Sequence, residues 1–154
     1  MPSGKRDSVM ITDIIIKAAG NKGQGVYALR GFSKGEFIFR RRHGSIVANA
    51  DIPLLPEEDQ RHLCELDWQT SAILLAPGCY LNHSCDPNCE AVITRGHIWL
   101  EAIRAIPAGT ELVYDYQYED DADYTEEDLR FYACKCGAPN CRGTIVKTRK
   151  RLKP

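Results

Sequence analysis

Two groups of residues in this chain have types and spacings that can do chemistry. One is Cys134-Lys135-Cys136-Gly137-Ala138-Pro139-Asn140-Cys141, a C-x-C-x4-C run. Thiols two positions apart are badly placed for a mutual disulfide, yet both can face one tetrahedral ion, and Gly137 and Pro139 supply the turn that returns Cys141 to them. Zinc takes four thiolate or imidazole ligands. The segment offers three, and the fourth is open among Cys79, Cys85, Cys89 and His83. With four protein ligands such an ion is structural, pinning a segment too short to fold alone. The other group is Tyr80-Leu81-Asn82-His83-Ser84-Cys85-Asp86-Pro87-Asn88-Cys89. Asn82, Ser84, Asp86 and Asn88 can each bond nearby backbone through a short side chain, and Pro87 biases Asp86 away from helix. This predicts an irregular loop that leaves the apolar run Ile73-Leu74-Leu75 with its polar groups already provided for.

Composition narrows the setting. The formal net charge is -1, which excludes a chain that is basic throughout, although the charges are segregated. The stretch 119–128 is strongly acidic, and 147–153 is strongly basic. No apolar run approaches the ~20 residues of a membrane helix, and the first residues lack the apolar core of a secretion signal. The expectation is an intracellular protein, cytoplasmic or nuclear, with reduced thiols. In that setting seven cysteines speak for a metal rather than a disulfide framework. The basic tail fits a nuclear-import signal, a nucleic-acid contact or a solubilising end.

The elements that must position these groups are short. Val9 to Lys17, rich in isoleucine, predicts a strand. Residues 19–25 carry three glycines and predict a loop that a ligand can approach closely, without a phosphate-cradle pattern. Strands are expected at 26–29 and 37–39, followed by Arg40-Arg41-Arg42-His43 as a solvated strand end, with an anion or substrate contact as the sharper alternative. Pro56-Glu57-Glu58-Asp59 predicts a helix with Leu63 and Leu66 on one face. A strand at 71–76, a hairpin about Arg95-Gly96 and a strand at 111–116 follow. Thr125 is expected to cap a second short helix. The sum is one domain, mostly β (α+β), long enough to bury a core.

Taken in order, Lys22-Gly23-Gln24-Gly25-Val26, Asn82 through Asn88, Glu111-Leu112-Val113-Tyr114-Asp115-Tyr116 and Cys134 through Gly143 resemble the motifs of SET-domain protein-lysine N-methyltransferases with a post-SET zinc segment. The resemblance runs from about Ile14 to Ile145. It implies a SET-domain β-fold of small curved sheets in which a C-terminal segment threads under a loop, knot-like. The implied layout is a flexible start over 1–8, a SET domain over 9–132, a post-SET zinc segment over 133–146 and a basic tail over 147–154. It implies Cys85 as the partner of Cys134, Cys136 and Cys141 on zinc, with Cys79 and Cys89 as spectators. The implied cofactor is S-adenosyl-L-methionine, leaving as S-adenosyl-L-homocysteine, held by Lys22, Gln24, Gly25, Asn82 and His83, with Ile145 covering it. Tyr116 is implied as the catalytic phenol and Tyr114 as the residue that limits the product, mainly to mono- or dimethylation.

The acceptor implied is a lysine on a basic protein such as a histone, or another DNA-packaging or ribosomal protein, drawn in by the acidic stretch and with no role for a membrane. The family usually has Glu-Tyr-x-Gly-Glu where this chain reads Arg41-Arg42-His43-Gly44-Ser45, which changes the lining of the lysine channel. The rival expectation is a non-catalytic, zinc-stapled module that binds basic peptides.

Overall fold

The structure is a computed structural model that describes residues 12–116, 126, 130 and 133–145. It is built almost wholly from short strands. β1 (Ile14–Ala18) and β2 (Gln24–Ala28) form an antiparallel hairpin, Ile14 opposite Ala28 and Ala18 opposite Gln24. Their link is a single 3-10 turn, Gly20–Lys22. Gly20 and Gly23 sit at φ 62 and 79, the left-handed region that only glycine enters without strain.

β3 (Phe37–Arg41), β8 (Cys89–Thr94), β9 (His97–Ala102) and β10 (Glu111–Tyr114) join this hairpin in one sheet of order β1-β2-β10-β8-β9-β3. The two-residue β7 (Asn82–His83) lies parallel to β10. A second sheet has the order β4-β6-β5, from β4 (His43–Ala48), β5 (Leu63–Glu65) and β6 (Thr70–Leu74). Helix is confined here to α1 (Glu57–Gln60), short 3-10 turns and the helical positions 126 and 130. Among the described residues no helix is long and apolar enough to cross a membrane.

The core gathers on the larger sheet. Val26, Leu100 and Leu112 are fully buried and pack with Phe32, Phe39, Leu81 and Ile106. Each such side chain contributes about 1.5–3 kcal/mol relative to exposure. The alternation of strand side chains sends Leu100 and Ala102 inward from β9, and Leu112 from β10, while their neighbours face out. Thus the core clamps β10 next to β7.

Several elements differ from expectation. The first strand starts at Ile14 rather than Val9, and residues 9–11 lie outside the described ones. The helix at Pro56 stops at Gln60: Leu63 instead enters β5, opposite Ile73, because pairing with β6 outweighs a helical spacing of leucines. Strand β4 was not foreseen. The arginine run does end β3, but it is half-buried rather than fully solvated, and the Arg41 guanidinium lies over the Tyr114 ring. The hairpin at Arg95-Gly96 forms with both residues at positive φ, as a two-residue turn requires. Thr125, most of the acidic stretch, the basic tail and most of the segment expected to thread under a loop lie outside the described residues.

Candidate active site and cysteine cluster

Asn88 fixes the central loop first. Its buried side chain acts as an extra strand, donating from Nδ2 to the Glu111 carbonyl at 2.9 Å and accepting from the Val113 N–H at 2.9 Å. The loop is thereby fastened to β10, and the Ser84 N–H donates to the Tyr114 carbonyl at 3.1 Å. The Asn82 amide donates both ways, to the Gln24 carbonyl and to Glu111 Oε2, each at 2.8 Å. Its Oδ1 bonds no described residue and is the face open to a ligand. Glu111 in turn holds Lys22, Nζ to Oε1 at 2.5 Å.

This carboxylate is a hub that sequence reasoning missed. It also explains Gly25, where a Cβ would stand 2.7 Å from Glu111 Oε2 and 2.9 Å from the Ala19 Cβ. A side chain there would force Glu111 and Ala19 to shift.

His83 is neutral, and its tautomer follows from its partners. The Tyr116 N–H can only donate, and it does so to Nδ1 at 3.1 Å. Nε2 therefore carries the proton and points at Cys85 Sγ, 3.4 Å away. Asp115 Oδ1 lies 3.6 Å from Nδ1, but a nitrogen without a proton makes no ion pair with it. Burial pushes the His83 pKa down, which agrees with the neutral ring.

The Sγ atoms of Cys85, Cys134, Cys136 and Cys141 all lie within 4.8 Å of one another, with Cys85 and Cys134 3.9 Å apart. Four sulfurs about 2.3 Å from a tetrahedral zinc would stand ~3.8 Å apart, so this donor set fits that ion. Donors already surround the sulfurs: the Cys85 N–H reaches Cys136 at 3.5 Å, Arg142 N–H reaches Cys85 at 3.4 Å, and Gly143 N–H reaches Cys141 at 3.4 Å. Such N–H groups favour thiolates. Burial pushes the Cys85 and Cys134 thiols up; burial acts the same way on Cys136, yet the Cys85 and Ala138 N–H groups, with the Cys134 and Cys141 thiols, together outweigh it and bring that thiol to about 6. Cys79 and Cys89 stand outside the cluster, pushed by burial to about 11 and about 12.

A cavity of ≈ 320 Å³ opens between these parts. Lys22, Asn82, His83 and Tyr116 form one side; Cys134, Cys136 and Ile145 form the other. The size suits a small-molecule site. Of the expected cofactor residues, Gln24 and Gly25 act from behind, through Asn82 and Glu111, rather than on the wall.

Tyr116 donates its hydroxyl to the Leu81 carbonyl at 2.6 Å, which leaves only lone pairs for a ligand. Tyr114 does not line the cavity; its ring centre is 5.0 Å from that of Tyr116, and the Arg41 guanidinium covers it on another side. The C-terminal segment is bolted on by Arg142, which grips Asp115 and the Ile145 carbonyl.

Comparison with known proteins places these features in a family. The chain is 48% identical over 70 residues to the H3 lysine-4 specific histone-lysine N-methyltransferase of Saccharomyces cerevisiae, a match covering 43% of this chain and 6% of that protein. It is 46% identical over 133 residues to histone-lysine N-methyltransferase 2D of Homo sapiens, covering 79% of this chain and 2% of the human protein. It is 30% identical over 156 residues to histone-lysine N-methyltransferase Su(var)3-9 of Drosophila melanogaster, covering 86% of this chain and 24% of the fly protein. The chain thus spans a small part of each of these relatives. The SET domain model matches residues 23–117, well over half of the sequence and the stretch that carries β2, the Asn82 loop and β10. The chain belongs to the SET-domain family.

Proposed function

We propose that this chain is an S-adenosyl-L-methionine-dependent protein-lysine N-methyltransferase that adds one or two methyl groups to a lysine of a basic protein, a histone being the first choice. The observation that carries this reading is the cavity bounded by Asn82, His83 and Tyr116, with a second phenol, Tyr114, 5.0 Å behind the first. Relatives named histone-lysine N-methyltransferases support the choice of acceptor.

When bound, S-adenosyl-L-methionine supplies an electrophilic methyl group. The chain's own residues do the rest. Asn82 Oδ1, Lys22 and the His83 main chain would hold the amino-acid end, and Ile145 would cover the other. Gly25 would keep the wall thin, because any Cβ there displaces Asn82 and Glu111. Tyr116 offers an oxygen whose proton is already given to Leu81, so it acts as a pure acceptor for an amine N–H and turns the nitrogen lone pair toward the methyl. Attack needs a neutral amine, whereas free lysine has a pKa of about 10.4. Desolvation beside the Tyr116 ring disfavours the ammonium. The four cysteines would hold zinc as a staple with no open position, and no step of the reaction passes through it.

A tritiated-cofactor assay over core histones and basic lysate proteins tests the reading. Incorporation into a lysine, lost in Tyr116→Phe, supports it; tight peptide binding without transfer favours the non-catalytic module, which the charged cover on Tyr114 keeps in contention.

A further inference from the structure

The space beside Tyr114 carries a charge to which the scheme above gives no task. Arg41, in β3, holds its guanidinium carbon 5.0 Å from the Tyr114 ring centre. Its stem lies over Gly78, where a Cβ would stand 3.6 Å from Arg41 Cγ and Nε. The Arg41 Nε is buried with no hydrogen-bond partner among the described residues. Other elements also face this place. Tyr116 follows β10, its ring 5.0 Å from Tyr114, and Cys64 comes from β5. Behind Tyr116 stand His83, neutral, and Asp115, already gripped by Arg142. No carboxylate among the described residues pairs with Arg41, so its field is not cancelled locally.

A fixed positive charge at the acceptor site penalises an ammonium and leaves a neutral amine untouched. A guanidinium keeps its charge where a lysine amine would lose it. We propose that Arg41 selects the charge state of the acceptor: from its seat on Tyr114 it lowers the basicity of the lysine in the channel, so that the uncharged amine is the form that docks and reacts. The same field already reaches Tyr114, whose phenol is pushed up by burial and drawn back down by Arg41. The role rests on the methyltransferase reading and deepens it, because it gives this chain a way to admit its acceptor as the neutral amine, the proton having passed to bulk water before docking, with no base in the channel.

The test is the pH profile of single-turnover methyl transfer to core histones, from pH 6.5 to 10.5, for the intact chain and for Arg41→Met, Arg41→Gln and Arg41→Lys. Wild type sets the reference half-maximal pH, and Arg41→Lys, whose amine can shed its proton in this seat, should fall between wild type and the uncharged variants. In Arg41→Met the half-maximal pH should move upward by about one pH unit, with transfer at pH 8 about tenfold slower and converging at high pH, as expected for a unit charge a few ångströms away in a partly solvated site. Arg41→Gln should behave like Arg41→Met, and it serves if the methionine variant does not fold. An unmoved profile in the uncharged variants, or a loss that no pH restores, overturns the role while leaving the enzyme reading intact. No transfer by wild type at any pH overturns the histone-methyltransferase reading itself and this role with it.

Discussion

Asp115 and Arg142 meet through two parallel contacts, Nη1 2.7 Å from Oδ2 and Nη2 3.2 Å from Oδ1, with both side chains at most 16% exposed. Asp115 stands between Tyr114 and Tyr116, and Arg142 follows the last cysteine of the cluster. One ion pair therefore sets the cysteine-rich segment against the strand that bears both phenols. Removing one partner leaves a largely buried charge alone, so Arg142→Met should cost about 3 kcal/mol of stability. Arg142→Lys should recover little, because a point charge cannot make two parallel bonds. Urea denaturation checks this; an unchanged midpoint in Arg142→Met would show that the pair holds nothing.

Gly25→Ala should weaken cofactor binding at least tenfold while shifting Tm by only a few degrees. The new methyl, 2.7 Å from Glu111 Oε2 and 3.2 Å from Asn82 Nδ2, must push apart the pair that orients Asn82. Calorimetric titration with S-adenosyl-L-homocysteine measures it. Wild-type affinity in the variant would remove Glu111 from the account.

For the cysteine cluster, purified protein should carry one zinc per chain, and Cys85→Ser should lose it in the presence of a mild chelator. Closing a thiolate site contributes on the order of 10 kcal/mol of binding that is coupled to folding. Metal loss should therefore also abolish cofactor binding, since Cys134 and Cys136 wall the cavity. Elemental analysis beside a binding assay reads both, and zinc retained by Cys85→Ser would exclude Cys85 as a ligand.

Alkaline pH provides a separate check on packing. Burial pushes the Cys89 thiol to about 12, against an ordinary value of 9.0, with Val113 N–H and Arg104 opposing. The folded pKa is raised, so this contribution is full below about pH 9. It is lost as pH climbs toward 12, because the unfolded chain can ionise and the folded one resists. Stability should fall across that window, and Cys89→Ala should flatten part of the fall. Tyr114, also pushed up by burial, would retain a share of it. Thermal melts at pH 8 through 11 decide the matter.

Tyr114→Phe should raise the number of methyls added. Loss of the hydroxyl frees space and removes a group that can hold water or the amine. Mass spectrometry of a methylated peptide reads the distribution, and an unchanged pattern would dismiss Tyr114 as the product-limiting residue.

What could be read from sequence was what is local. The hairpin at Arg95-Gly96 and the turn-rich loop before Cys89 show in residue types, since positive φ and short polar side chains are demands of the backbone nearby. The spacing of Cys134, Cys136 and Cys141 likewise speaks for itself, whereas Cys85 came only from likeness to a family. Long-range pairs left no such trace. Lys22 and Glu111 are 89 residues apart, and Arg142 and Asp115 are 27 apart, so nothing in either neighbourhood announces the other. Arg41 was misread for a different reason. A charged triplet suggests solvent, but a strand side chain at that register points to the Tyr114 ring. Leu63 fitted a helical period and went to a sheet, where it pairs with Ile73 of the central strand β6.

The loop that presents Asn82 and His83 also presents Cys85, and the His83 ring joins the Tyr116 main chain to that sulfur. Oxidation of Cys85 would travel two residues and slacken the seat that Asn82 and His83 form. Purified protein treated with peroxide should then bind S-adenosyl-L-homocysteine more weakly before it unfolds, and regain that binding once reductant and zinc are supplied.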